Sequence, residues 1–209
     1  MQNFFHRNAL DRPKRERTRS LLIDGAVAVV AERGITDASI KAITESVGLS
    51  NGTFYNHFED RDALFREAAL AVAGAVTEDL AADVSDLDRG LARFARSTDA
   101  FMLRMLDLPD WAALLVQASH HLGEVRQDIG KHLRSDLRRA VDQGTLAKMP
   151  NRFTLHQIGS LITLAIEWQL LHTRSKDVRR QTCESTLRLL GLDAEAAMQT
   201  VRNAVPSLA

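Results

Sequence analysis

Ser50, Asn51, Thr53, Tyr55, Asn56 and His57 crowd hydrogen-bonding side chains into a single short stretch around Gly52. Hydroxyl, amide and imidazole groups of this kind pair with base edges and phosphate oxygens, and a glycine lets a backbone approach its ligand closely. The same stretch formally matches a hydrolase signature, because Gly48-Leu49-Ser50-Asn51-Gly52 is G-x-S-x-G. In that signature the serine stands on a turn from a strand into a helix. Here a helical pattern precedes Ser50, which is better placed as a helix cap, so the nucleophile reading fails. Phosphate-binding loops, dinucleotide fingerprints and H-E-x-x-H pairs are missing, and Asn51-Gly52-Thr53 is a glycosylation sequon in form only. The lone Cys183 offers neither a disulfide nor a thiolate cluster, and adjacent His120 and His121 point in different directions on a helix. No enzyme activity, metal or cofactor is expected.

The elements that must position these groups read as helices. Only four prolines and eleven glycines punctuate 209 residues, and β-branched runs bounded by hairpin signals do not occur. A first helix starts near Lys14, just past Pro13, carries Leu22, Ala26, Val29 and Val30 on one face, and stops at Gly34. Ser39 caps a second, short helix with Ile40, Ile43 and Val47 on one side, closed by a left-handed Gly48. Ser50 caps a third, with Phe54 and Phe58 facing the same way, and a fourth follows Glu59-Asp60 with Leu64, Phe65, Ala68 and Val72 turned inward. Further breaks fall at Leu108-Pro109, His120 to Gly123, Gly144 to Thr154, Arg174 to Asp177 and Gly191 to Asp193. The fold expected is all-α. Two helices joined through Val47-Gly48-Leu49-Ser50 form a helix-turn-helix whose second member shows Asn51, Thr53, Asn56 and His57 to a major groove.

The stretch GLSNGTFYNHFEDRDALF, Gly48 to Phe65, together with the preceding AVAVVAERGITDASIKAITESVG, resembles the N-terminal domain of the TetR/AcrR family of transcriptional regulators. That resemblance implies a three-helix DNA-binding domain followed by a larger helical domain for effector binding and dimerisation. It implies DNA contacts, largely at phosphates, from Ser39, Ser50, Thr53, Tyr55 and His57; Lys41, Asn51, Gly52 and Asn56 are further DNA-binding candidates on the two helices. Two positions depart from the usual pattern: Arg61 replaces a common lysine, and Thr44 stands where a small alanine is frequent. A guanidinium at Arg61 still suits phosphate.

Charge divides unevenly along the chain. Lys+Arg and Asp+Glu are both 27, yet residues 1–20 carry Arg7, Arg12, Lys14, Arg15, Arg17 and Arg19 against only Asp11 and Glu16. Beside a helix-turn-helix, such an arm is expected to follow phosphate or a minor groove, with Arg15, Arg17 and Arg19 the leading candidates. The domains expected are a flexible arm over 1–12, a helix-turn-helix domain over 13–66, and a ligand-binding and dimerisation domain over 67–209. The N-terminus has no apolar signal core and no apolar run approaches a membrane span, so a cytoplasmic protein is expected.

In the second half, Phe94, Phe101, Met102, Met105, Trp111, Leu114 and Leu115 gather apolar, polarisable surface suited to an adaptable ligand site, with His120, His121 and Trp168 as polar handles. Leu155, Ile158, Ile162, Ala165 and Gln169 form one stripe on which Gly159 permits close helix contact, and Thr182, Thr186 and Leu190 follow on the next helix. The resemblance implies a dimer built from the last long helix pair, which makes Leu155, Ile158, Gly159, Ile162, Gln169, Thr182, Thr186 and Leu190 the candidate homodimer face. Dimerisation is expected because one short helix reads few base pairs, whereas two related by a two-fold axis read a palindrome. The function expected is a homodimeric repressor that leaves a palindromic operator when a small apolar or amphipathic effector binds. The alternative is a helical carrier or adaptor that does not read DNA.

Overall fold

The structure, a computed structural model, describes residues 3–80, 90–122 and 134–208. Among these the regular elements are all helical, as expected: α1 (Phe4–Arg7), α2 (Lys14–Arg33), α3 (Ile40–Ser46), α4 (Asn51–Tyr55), α5 (Arg61–Leu80), α6 (Gly90–Asp107), α7 (Pro109–His121), α8 (134–142), α9 (Arg152–Leu171), α10 (Lys176–Leu189) and α11 (Ala194–Ala204). The chain divides into two compact units. One holds α1–α4, α5 up to Val72, and α7; the other takes α5 from Ala73, α6 and α8–α11. The break expected at His120 to Gly123 begins where α7 ends, and Gly123 lies outside the described residues. None of the described helices is long and apolar enough to cross a membrane.

In the first unit, α2 starts directly after Pro13, whose missing N–H costs nothing at a helix start. It buries Leu22, Ala26, Val29 and Val30, and ends at Gly34, which at φ +79° donates its N–H to Val30 O. α3 crosses α2 at Gly25: a Cβ there would lie 3.0 Å from Ile43 O and 3.0 Å from Val47 Cγ1. Ile43, Phe54, Leu64 and Phe65 complete a core from which water is excluded. α7 belongs to this unit and packs on α2. Its Gln117 Oε1 accepts the buried Ile35 N–H at 2.7 Å, so α7 ties down the loop that leads into α3. The sequence boundary near residue 66 misplaced α7, because its partner α2 lies far away along the chain.

Residues 3–12 are not the loose arm expected. The Asp24 carboxylate accepts the N–H groups of Phe5 and His6 at 3.0 and 2.8 Å, His6 Nδ1 lies 3.1 Å from Arg17 O, and Ala9 is buried. Phe4 and Phe5 both pack on Trp111 of α7, with ring centroids 4.9 and 5.3 Å away. Burial pushes the Asp24 carboxyl above the usual range, and the two backbone donors oppose that shift. Aromatic packing on Trp111 and a carboxylate hydrogen-bonded to two backbone N–H groups thus anchor a segment whose basic composition alone reads as solvated.

In the second unit, Asn151, Ser175 and Asp193 cap α9, α10 and α11 by accepting the N–H groups of Thr154, Val178 and Ala196. α6 buries Phe94, Ala95, Met102 and Met105 and packs against α9, α10 and α11. At its start, Gly90 meets α8 so closely that a Cβ would overlap the Ala140 backbone. Within this core Arg179 Nε donates to Asp99 Oδ1 at 2.7 Å, a buried ion pair linking α10 to α6. Cys183 is buried beside it; desolvation pushes its thiol well above the usual range and leaves it inert.

Candidate nucleic-acid interface

The turn between α3 and α4 is built from local chemistry. Ser39 accepts from Ala42 N and Ser50 from Thr53 N, each at 3.1 Å, so both helices start on a serine cap. Between them Gly48 takes φ +68°, which lets Leu49 N–H reach back to Thr44 O at 2.8 Å. α4 is a short helix, ending at Tyr55, and Phe58 follows beyond it. Phe58 still joins Phe54 in the core because its N–H bonds to Phe54 O, with the rings 5.8 Å apart. Burying this aromatic pair turns the opposite side of α4 outward. Asn51, Gly52, Tyr55 and Asn56 are exposed there, Tyr55 to 61%, while Thr53 and His57 are half-buried. Nothing but Ser50 Oγ, at 3.8 Å, lies near the place of a Gly52 Cβ, so the backbone at the start of α4 is open to approach.

Thr44 is wholly buried on α3, and its hydroxyl lies 2.9 Å from Asn51 Oδ1. The departure from alanine at this position therefore adds a hydrogen bond between the two helices. Lys41 is exposed on α3 and lies 3.8 Å from Glu45, an exposed pair of little energetic weight.

The arginines separate by role. Arg15 is exposed on α2, and Arg17 is half-buried. Arg19, expected on phosphate, instead grips Glu67 through both carboxylate oxygens, donates to His57 O at 2.5 Å, and stacks 4.2 Å above the Phe58 ring. Its guanidinium braces α2 against α5 and holds the end of the turn that carries His57. Arg61 donates to Thr36 O at 3.1 Å and Ala38 O at 3.5 Å, and so clamps the loop entering α3. His57 Nδ1 is buried with no hydrogen-bond partner among the described residues. Desolvation first, and then the charges of Arg15 and Arg19, push this histidine below its ordinary pKa of 6.5, so the ring is neutral at neutral pH.

The family model described as "Bacterial regulatory proteins, tetR family" matches residues 22–68, which span α2 from its middle through the start of α5. Over these residues the chain carries the DNA-binding domain of the TetR family. It is 34% identical over 104 residues to the HTH-type transcriptional repressor Rv1474c of Mycobacterium tuberculosis, covering 50% of each protein. The matched stretch thus spans about half the length of that relative. Identity to the HTH-type transcriptional repressor AcnR of Corynebacterium efficiens is 27% over 185 residues, covering 87% of this chain and 78% of the relative. Among solved structures, RolR in complex with resorcinol aligns with TM-score 0.71 and 26% identity over 90% of this chain and 94% of its own. The regulator FadR from Bacillus subtilis, in complex with stearoyl-CoA, shares the fold at TM-score 0.61 and 17% identity, over 83% of this chain and 98% of its own.

Other residues singled out in the sequence fall in two different units. Phe94, Phe101, Met102 and Met105 lie on α6 in the second unit; Trp111, Leu115, His120 and His121 lie on α7 in the first. The expected pocket set is thereby divided, because Pro109 starts a helix that packs with α2 rather than continuing α6. Trp111 serves the arm, and Trp168 is 41% exposed on α9, stacked 4.6 Å from His172. The expected dimer stripe also needs correction. Leu155, Ile158, Gly159, Ile162, Gln169, Thr182, Thr186 and Leu190 are all buried within the second unit, so they are core and not outer surface. Leu164, Trp168 and Leu171 face outward on α9 instead. Sequence reasoning missed Gln117, Glu67 and Asp24, whose partners are all distant in the chain and leave no local signal. Among the described residues no cluster of His, Cys, Asp and Glu could hold a metal ion.

Proposed function

We propose that the protein is a cytoplasmic transcriptional repressor, not an enzyme, that binds a palindromic operator as a homodimer and leaves it when a small apolar or amphipathic effector binds. The observation that carries this reading is the polar outer side of α4, with Asn51, Tyr55 and Asn56 exposed opposite the buried Phe54 and Phe58 on a helix that starts on the Ser50 cap. Ser39, Lys41, Ser50, Thr53 and Arg15 stand around that side and supply phosphate contacts. The repressor names of the relatives support the sign of regulation, and resorcinol and stearoyl-CoA in the related structures support a small apolar or amphipathic effector. The exposed Leu164, Trp168 and Leu171 support a two-fold partner. Such an effector acts by preferring the conformer in which the two recognition helices are misplaced for DNA.

Selection from a pool of random-sequence duplexes tests the reading. A palindromic enriched site is expected, and Tyr55→Ala weakens binding to every duplex whereas Asn56→Ala also changes the preferred sequence. Flat enrichment would leave the carrier reading in its place.

The neutral His57 adds a pH dependence. A phosphate at its ring opposes the Arg15 and Arg19 charges and raises the histidine pKa in the complex, so binding takes up a proton. Operator affinity then rises as pH falls through the pKa of the complex, and levels off below that of the free protein, which itself lies under 6.5. His57→Gln flattens this dependence. Equal slopes for the two proteins would remove His57 from the phosphate contact.

A further inference from the structure

The hydroxyl of Thr44 carries one hydrogen, yet three oxygens surround it: Ile40 O at 3.0 Å, Lys41 O at 3.1 Å and Asn51 Oδ1 at 2.9 Å. With the hydrogen on Asn51, the hydroxyl makes one bond and faces two carbonyls with its lone pairs. Interchanging the two ends of the planar Asn51 amide leaves its shape unchanged, and the surrounding network decides which end goes where. Turned round, Asn51 Nδ2 donates to Thr44 Oγ1, and Thr44 donates to Ile40 O, the back-bond that threonine makes inside helices. That arrangement gives this wholly buried hydroxyl two hydrogen bonds instead of one, and buried polar groups are held to such satisfaction.

We infer that Thr44 is a positioning residue for specificity: it holds the Asn51 amide with Nδ2 inward and Oδ1 outward, so that Asn51 reads an exocyclic amino group and not a phosphate. An outward carbonyl oxygen is repelled by phosphate oxygens. In the major groove it pairs with adenine N6 or cytosine N4, and it rejects guanine O6 and thymine O4. This rests on the DNA-reading function proposed above and names the base chemistry of one position in it.

Two measurements test it. In the free protein, side-chain amide hydrogens of Asn51 should exchange with solvent more slowly in the wild type than in Thr44→Val, which keeps the buried shape without the hydroxyl; Thr44→Ser should restore the protection. In random-duplex selection, Asn51→Ala marks the position read by Asn51. There the wild type should favour adenine or cytosine on one strand by about tenfold, at the low end of what a base contact supplies. Thr44→Val frees the amide to turn, so that preference falls toward equality while the best duplexes remain bound, and Thr44→Ser recovers it. A merely structural role for Thr44 lowers affinity for every sequence alike and does not move one position. Equal amide exchange in wild type and Thr44→Val overturns the inference, as does a guanine or thymine preference at that position, or an Asn51→Ala variant that weakens all duplexes equally. If the wild type enriches no sequence, the DNA reading falls, and the exchange comparison still decides the Thr44–Asn51 arrangement.

Discussion

Gly25→Val should destabilise the first unit by about 1–3 kcal/mol, the usual cost of forcing extra carbon into a packed interface, while Gly74→Ala should stabilise the protein. Both glycines lie inside long helices, where glycine is about 0.5–1 kcal/mol worse than alanine. They differ in what a side chain would meet. A Cβ at Gly74 has nothing within 4 Å, so alanine gains helix propensity there without a clash. A Cβ at Gly25 lies 3.0 Å from Ile43 O, 3.0 Å from Val47 Cγ1 and 3.1 Å from Ser46 Oγ, and the branched valine extends further into α3. A backbone carbonyl cannot swing aside, so α3 must move. Because Thr44 lies beside Ile43 and holds Asn51, that movement displaces the outer side of α4, and duplex affinity falls even in the molecules that remain folded. Urea denaturation of the two variants gives the opposite signs expected, and duplex titration gives the loss at Gly25→Val alone. Wild-type stability and affinity in Gly25→Val would mean that α2 and α3 part freely, against the packing described.

What the sequence shows and what it hides follow from how local the causes are. Ser39, Ser50 and Gly48 act on backbone groups within five residues of themselves, and the caps and turn they form stand where residue type alone puts them. Arg19 looks like part of a basic arm until Glu67, 48 positions on, takes its guanidinium. Trp111 and Gln117 are likewise given their roles by Phe4, Phe5 and Ile35, so a helix that follows α6 directly in sequence packs in the other unit. On α9 the failure has a different cause. The helix is apolar on more than one side, with Leu155, Ile158 and Ile162 along one face and Leu164, Trp168 and Leu171 along another. Helical periodicity identifies stripes, but with two of them it does not say which one the core takes.

That second stripe carries the other large expected effect. Leu164 and Leu171 are 56% and 74% exposed, with Trp168 between them, a contiguous apolar surface of the kind that marks an interaction site. In a two-fold dimer each substituted residue enters the interface twice, and groups near the axis face their own copies. Leu164→Glu with Leu171→Glu therefore places two pairs of carboxylates into a surface whose association depends on apolar burial. Sedimentation of this variant should show a monomer. Its affinity for the selected duplex should fall about a hundredfold or more, because the second recognition helix no longer arrives at high effective concentration once the first is bound. Leu155→Ala on the buried face serves as the contrast: it should cost about 2–5 kcal/mol of stability through a core cavity, yet the folded fraction should still dimerise and bind. A double-glutamate variant that remains dimeric would move the interface elsewhere. One that is monomeric but binds the duplex undiminished would show that a single α4 suffices, and the two-fold operator would then have no physical basis.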